Sequence, residues 1–139
     1  MRAVRLWPAA VVLLAACSGD GVLGLVGRVE IRTEQVQYTP GDMLRVSVSN
    51  ESSRTLYYSG CGMLVERIDP DDPDPFAFGK LCLASIDVPV PIRPGTELRD
   101  SIEIPPQTPA GSYQVRHLII SGGKPLPEPL RRSNPFAIE

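Results

Sequence analysis

From residue 28 onward, apolar and polar positions alternate with a period of two, in short runs cut by turns that carry proline or glycine. Val29 and Ile31 alternate with Arg28, Glu30 and Arg32, a pattern that predicts a strand with one buried face. The alternation is cleanest at residues 43–49. Leu44, Val46 and Val48 are expected inward, and Met43, Arg45, Ser47 and Ser49 toward water. A slip of one residue would expose all three aliphatics, so this register is strongly specified. Leu56-Tyr57-Tyr58 and residues 63–68 continue the pattern, with Met63 and Val65 taken as the inward face in preference to Leu64 and Glu66. Strand character resumes at residues 81–88 around Cys82. It returns after residue 95, with Ile102 and Ile104 expected to be buried. Residues 113–120 are the longest β-favouring run, and residues 134–138 form a last strand with Phe136 and Ile138 packed.

The punctuation supports the same reading. In Pro40-Gly41 and Pro94-Gly95, proline presets φ for the first turn position and glycine supplies the positive φ that a type II turn requires. Asn50-Glu51-Ser52 has the form of a glycosylation sequon and is read as a polar turn. Residues 69–75 alternate proline with aspartate; lacking the amides a ladder needs, they are expected as an exposed loop. Pro89 and Pro91 confine their segment to a sheet edge or an extended linker. Seven or eight short strands at such spacing predict an all-β, antiparallel, immunoglobulin-like β-sandwich with Greek-key connections, a barrel being the alternative. Tyr113, at the entry of the penultimate strand, has two readings. It is either a tyrosine corner, its hydroxyl bonding back to upstream backbone, or an ordinary half-buried strand residue.

The N-terminus follows a different pattern. Arg2 and Arg5 precede an apolar run over residues 6–16, shorter than the ~20 residues that span a bilayer as a helix. The run ends in Leu14-Ala15-Ala16-Cys17, which resembles the lipobox of bacterial lipoproteins over the first twenty residues. That resemblance implies cleavage between Ala16 and Cys17 and a diacylglycerol on the Cys17 thiol; a plain signal peptide with an incidental cysteine is the alternative. The expected organisation is a signal peptide over 1–16, a lipidated flexible tether over 17–27 and one sandwich domain over 28–139. The domain would be lipid-anchored and face the periplasm or the exterior. Ser18 in place of an aspartate hints at the outer membrane where the source has two.

Composition narrows the partners. The −2 of the whole chain, less Arg2 and Arg5, leaves a mildly acidic −4 with no basic stripe, which argues against nucleic acid. Once Cys17 is acylated, Cys61 and Cys82 are the remaining thiols. In an oxidising compartment they are expected to form a disulfide, free buried thiols being the alternative.

Residues 45–120 invite a comparison. A strand ending at Asn50, Arg93-Pro94-Gly95 and Pro109-Ala110-Gly111-Ser112-Tyr113-Gln114-Val115-Arg116 are similar to small immunoglobulin-like domains of exported bacterial proteins. They are loosely similar to the family named after a Bacillus intracellular proteinase inhibitor. The resemblance implies the sandwich and, as an alternative function, proteinase inhibition. The lipobox and the absence of tryptophan after Trp7 depart from that family, and the shared motifs are turn chemistry.

No catalytic constellation is evident. The sole histidine, His117, lies mid-strand without a nucleophile elbow and is expected half-exposed; no acid sits in a setting that would raise its pKa. Gly122-Gly123-Lys124 lacks the remainder of a phosphate loop. Asp69, Asp71, Asp72 and Asp74 offer hard oxygens but lack the glycine and bidentate glutamate of a calcium loop, so no metal is assigned. The expectation is a non-enzymatic binding or structural module of the cell envelope without cofactor, its partners the membrane and another envelope protein. The candidate binding loops are residues 69–78, with Asp74 and the exposed-looking Phe76 and Phe78, and residues 122–132, with Lys124, Arg131 and Arg132. The second is read as a long, stiff, extended connection.

Overall fold

The computed structural model describes residues 28–80, 82 and 88–139; the expected signal peptide, Cys17 and the tether lie outside the described residues. The described chain is all-β, built as two sheets. The smaller has the order β1 (Val29–Thr33), β3 (Met43–Asn50), β7 (Thr96–Glu103). The larger runs β2 (Gln37–Tyr38), β10 (Phe136–Ile138), β8 (Gly111–Ser121), β4 (Leu56–Arg67), β5 (Ala77–Gly79). Two short strands flank it, β6 (Val90–Ile92) on β4 and β9 (Lys124–Pro125) on β8. The chain crosses between sheets after β1, β2, β3, β6 and β7, so first, third and seventh strands oppose fourth, eighth and tenth. This is the arrangement of immunoglobulin-like sandwiches.

Among the described residues ten strand segments stand where seven or eight were expected, and most of the strand expected at 81–88 lies outside them. The first edge splits, because the chain leaves the small sheet at Thr33 and joins the large one at Gln37, where β2 pairs with β10 in parallel. The other additions are two- and three-residue strands too short to leave a period-two signature. Pro91 sits in β6, which pairs only with β4, the edge position its missing amide demands. Among the described residues no helix is long and apolar enough to cross a membrane.

The core follows the alternation closely. Val29, Ile31, Leu44, Val46, Val48, Met63 and Val65 are all buried, as are Ile104, Phe136 and Ile138, whereas Ile102 is half-buried against them. Both proline–glycine turns form. Asp42 N–H bonds Thr39 O at 3.0 Å around Gly41 at φ 94°, and Thr96 N–H bonds Arg93 O at 3.1 Å around Gly95 at φ 71°. Asn50 is buried and anchors its turn: its Nδ2 donates to Arg54 O and Ile92 O at 2.7 and 2.8 Å, and its Oδ1 accepts from the Ser52 amide and hydroxyl. Tyr113 is the corner residue. Its ring is fully buried and its hydroxyl donates to Pro109 O at 2.7 Å, four residues upstream.

Candidate functional site

The most irregular part of the sheet is the β4–β8 ladder. Pairing is regular up to Ser59↔Leu118 and resumes at Leu64↔Arg116, leaving Gly60, Cys61, Gly62 and Met63 of β4 against His117 alone. A bulge of this kind bends the strand and releases it from pairing. Glycine makes this one feasible. A Cβ on Gly62 would lie 2.2 Å from the Leu118 Cβ and 3.1 Å from its backbone nitrogen. Cys61, at the crest, forms the expected disulfide with Cys82, with Cα atoms 5.3 Å apart. The bridge ties the bulge to the segment that follows β5.

Beneath the bulge lies His117. It is fully buried rather than half-exposed, because the alternation of β8 places it with Tyr113, Val115 and Ile119 on the core face. Neither ring nitrogen has a hydrogen-bond partner among the described residues. Its ring packs obliquely on Tyr58, centroids 5.1 Å apart. Burial pushes its pKa down to about 4, more strongly than the nearby Asp100 carboxylate raises it, with Lys80 adding to the depression. The imidazole is therefore neutral at neutral pH.

Asp100 is the acid in this histidine's electrostatic surroundings, and its pKa is lowered and not raised. It shares the inner face of β7 with Leu98 and Ile102, so this acid occupies a partly apolar setting. Burial alone would raise its pKa, but hydrogen bonds from Lys80, the Tyr58 hydroxyl and the Ser101 amide outweigh it and hold the carboxyl below its usual range. The group stays ionised, as a buttress between the sheets.

A cavity of about 350 Å³ opens at the bulge, lined by Cys61, Lys80, Arg116, His117 and Arg131 together with backbone of the bulge. Its size falls in the roughly 300–1,000 Å³ range of small-molecule sites. Lys80 is engaged by Asp100, and Arg116 by Glu66 at 2.8 Å. Arg131 has no ion pair among the described residues, and the Nε atoms of Arg116 and Arg131 are both buried without a partner. A larger groove, about 520 Å³, runs between β1 and the 3₁₀ turn Glu128–Arg131. Its polar groups are already satisfied: Arg32 pairs with Glu30, Arg132 with Glu128, and Asn134 bonds Thr33.

The expected loops change character. Phe76 and Phe78 are half-buried and pack on the core, ring centroids 6.3 Å apart, so they are not the exposed aromatics anticipated. β5 pairs Phe78 with Val65 and draws both rings inward. Asp74 is exposed in a loop whose carboxylates serve the turn itself, Asp69 accepting from the Asp71 amide and Asp72 from the Asp74 amide. Residues 122–132 do not form a long extended connection. Gly122 and Gly123, at φ 57° and 77°, make a two-residue hairpin turn, and the chain folds back along β8 through β9 and a bond from Leu126 N–H to Ile119 O. Lys124 is exposed on that hairpin, Arg132 is tied to Glu66 and Glu128, and Arg131 turns out to line the cavity. Sequence reasoning thus singled out Arg131 but not His117 or Arg116, its neighbours there. No group of metal-ligating side chains occurs among the described residues.

No protein-family description matches the chain, and no curated protein matches it by sequence. Solved structures match it at low similarity. The Pseudomonas fluorescens alkylpurine DNA glycosylase AlkC, bound to DNA containing an abasic site analog, is 13% identical with a TM-score of 0.43, over 81% of this chain and 30% of its own. The sporulation control protein Spo0M of Bacillus subtilis is 16% identical with a TM-score of 0.39, over 81% of this chain and 49% of its own. An ASH/PapD-like domain of human CEP192 is 19% identical with a TM-score of 0.30, over 80% of this chain and 82% of its own. The chain thus spans less than half the length of the first two. The described chain is, by its own two sheets, a small β-sandwich.

Proposed function

We propose that this protein is a membrane-anchored, extracytoplasmic lipoprotein whose sandwich acts as a non-enzymatic binding module of the cell envelope. The observation that carries the reading is the ordered leader, with Arg2 and Arg5, an apolar run and Leu14-Ala15-Ala16-Cys17, placed directly before a sandwich. The Cys61–Cys82 bridge supports it, since such bonds persist where the surroundings are oxidising. Loops held at the ends of a rigid sandwich can vary without unfolding it, which suits recognition. The test is intact mass of the membrane-extracted protein beside fractionation of Cys17→Ser. Diacyl mass on Cys17, lost together with membrane retention in the variant, is expected. An unlipidated native chain, or a variant that keeps lipid label and membrane association, overturns the reading.

A further inference from the structure

Four nitrogens on three side chains that line one cavity lack hydrogen-bond partners among the described residues: Nε of Arg116, Nε of Arg131 and both ring nitrogens of His117. A buried polar group left unpaired costs roughly 1–3 kcal/mol, and native proteins keep few of them. Here the three side chains that carry them all line one hollow. Three of the four, counting one nitrogen of the neutral imidazole, are N–H donors, so the hollow lacks acceptors.

The charges point the same way. The cavity is lined by Lys80, Arg116 and Arg131. Asp100 neutralises the first and Glu66 the second, whereas Arg131 makes no ion pair among the described residues, the Glu128 carboxylate near it being taken by Arg132. One unbalanced positive charge remains. Arg116 and Lys80 keep about a third of their side chains open to solvent, at 33% and 29%, so the hollow can be reached from outside.

We propose that the cavity under the β4 bulge is a binding site for a carboxylate, received by Arg131 and Arg116 with the buried His117 as the third donor. A monoanion with two acceptor oxygens matches the single unbalanced charge, and guanidinium groups favour planar oxyanions of this kind. Groups facing the site from each packed element are Tyr58 on β4, Asp100 on β7, Lys80 after β5, Arg116 on β8 and Arg131 on the 3₁₀ turn. The site gives the proposed binding module its ligand class and rests on that reading, but not on the anchor. Failure of lipidation would leave the titration below untouched, and the reverse.

His117 is the chain's single histidine, so its imidazole gives one unambiguous NMR signature. The full-length protein in detergent micelles at pH 7 is titrated with acetate, with acetyl-diglycine bearing a free C-terminus, with acetyl-diglycine amide and with inorganic phosphate. A saturable shift of the imidazole resonances with the two carboxylates, and none with the amide, is expected. Arg131→Gln should weaken the response at least tenfold, while Arg99→Gln, on a side chain 86% exposed on β7, leaves it unchanged. Tighter binding of acetyl-diglycine than of acetate identifies a polypeptide C-terminus as the source; equal binding identifies a small free acid. A non-saturating shift, an equal response to the amide, saturation by phosphate but not by carboxylates, or full binding by a folded Arg131→Gln protein overturns the proposal.

Discussion

His117 is neutral and buried, whereas in an unfolded chain it would titrate near 6.5. Its folded pKa of about 4 lies below the unfolded value, so below pH 6.5 the unfolded state binds more protons and stability rises with pH. Between pH 6.5 and about 4 the protein should lose about 3 kcal/mol from this group alone. Denaturant unfolding across that range checks it: the native protein should show the slope, and His117→Leu should flatten it. Asp100 acts further down, because its depressed pKa makes a contribution that is lost only as pH falls below the ordinary carboxylate range. The inward position of His117 was legible beforehand, since Tyr113, Val115 and Ile119 share its parity on the strand. A titratable side chain biases expectation toward water, and here parity prevails over polarity. What the sequence cannot reveal is that no hydrogen-bond partner among the described residues meets the ring nitrogens, because that depends on a bulge in another strand.

Among the elements, that bulge is the least legible. Its only local sign is glycine on both sides of Cys61, where a strand otherwise favours side chains that pack. Gly62→Ala tests how far the bulge depends on it. A methyl group would collide with the Leu118 Cβ and crowd its backbone, so a loss of ~1–3 kcal/mol is expected by thermal or chemical unfolding. Gly60→Ala is the comparison, since a Cβ there meets nothing closer than 3.9 Å. The Gly122–Gly123 hairpin carried a stronger local sign. A glycine pair between β-favouring runs is a two-residue turn signal, yet the prolines after it suggested an extended connector. Those prolines instead let residues 127–131 leave the ladder and form the 3₁₀ turn that brings Arg131 to the cavity.

At the scale of the whole molecule, alternation and turn chemistry predicted the sandwich, because burial of one face is a property of each strand taken separately. Sheet order was not legible in that way, since pairings such as β10 with β2 join opposite ends of the domain. The disulfide is the other long-range constraint, bridging residues 21 apart. Replacing Cys61 and Cys82 together by alanine should lower unfolding free energy by about 3 kcal/mol through the greater freedom of the unfolded chain, measured against the oxidised native protein. Pairing by Ala137 N–H to Val36 O at 2.9 Å and Glu139 N–H to Tyr38 O at 3.0 Å sets early and late chain side by side, running in the same direction. A pull that draws Arg28 and Glu139 apart therefore slides these strands lengthwise, and their bonds share the load instead of parting one at a time. Resistance to such a force is set by the rate of unfolding and not by its equilibrium. A sandwich tethered at one end and tugged by its partner at the other would hold through the geometry of two short strands.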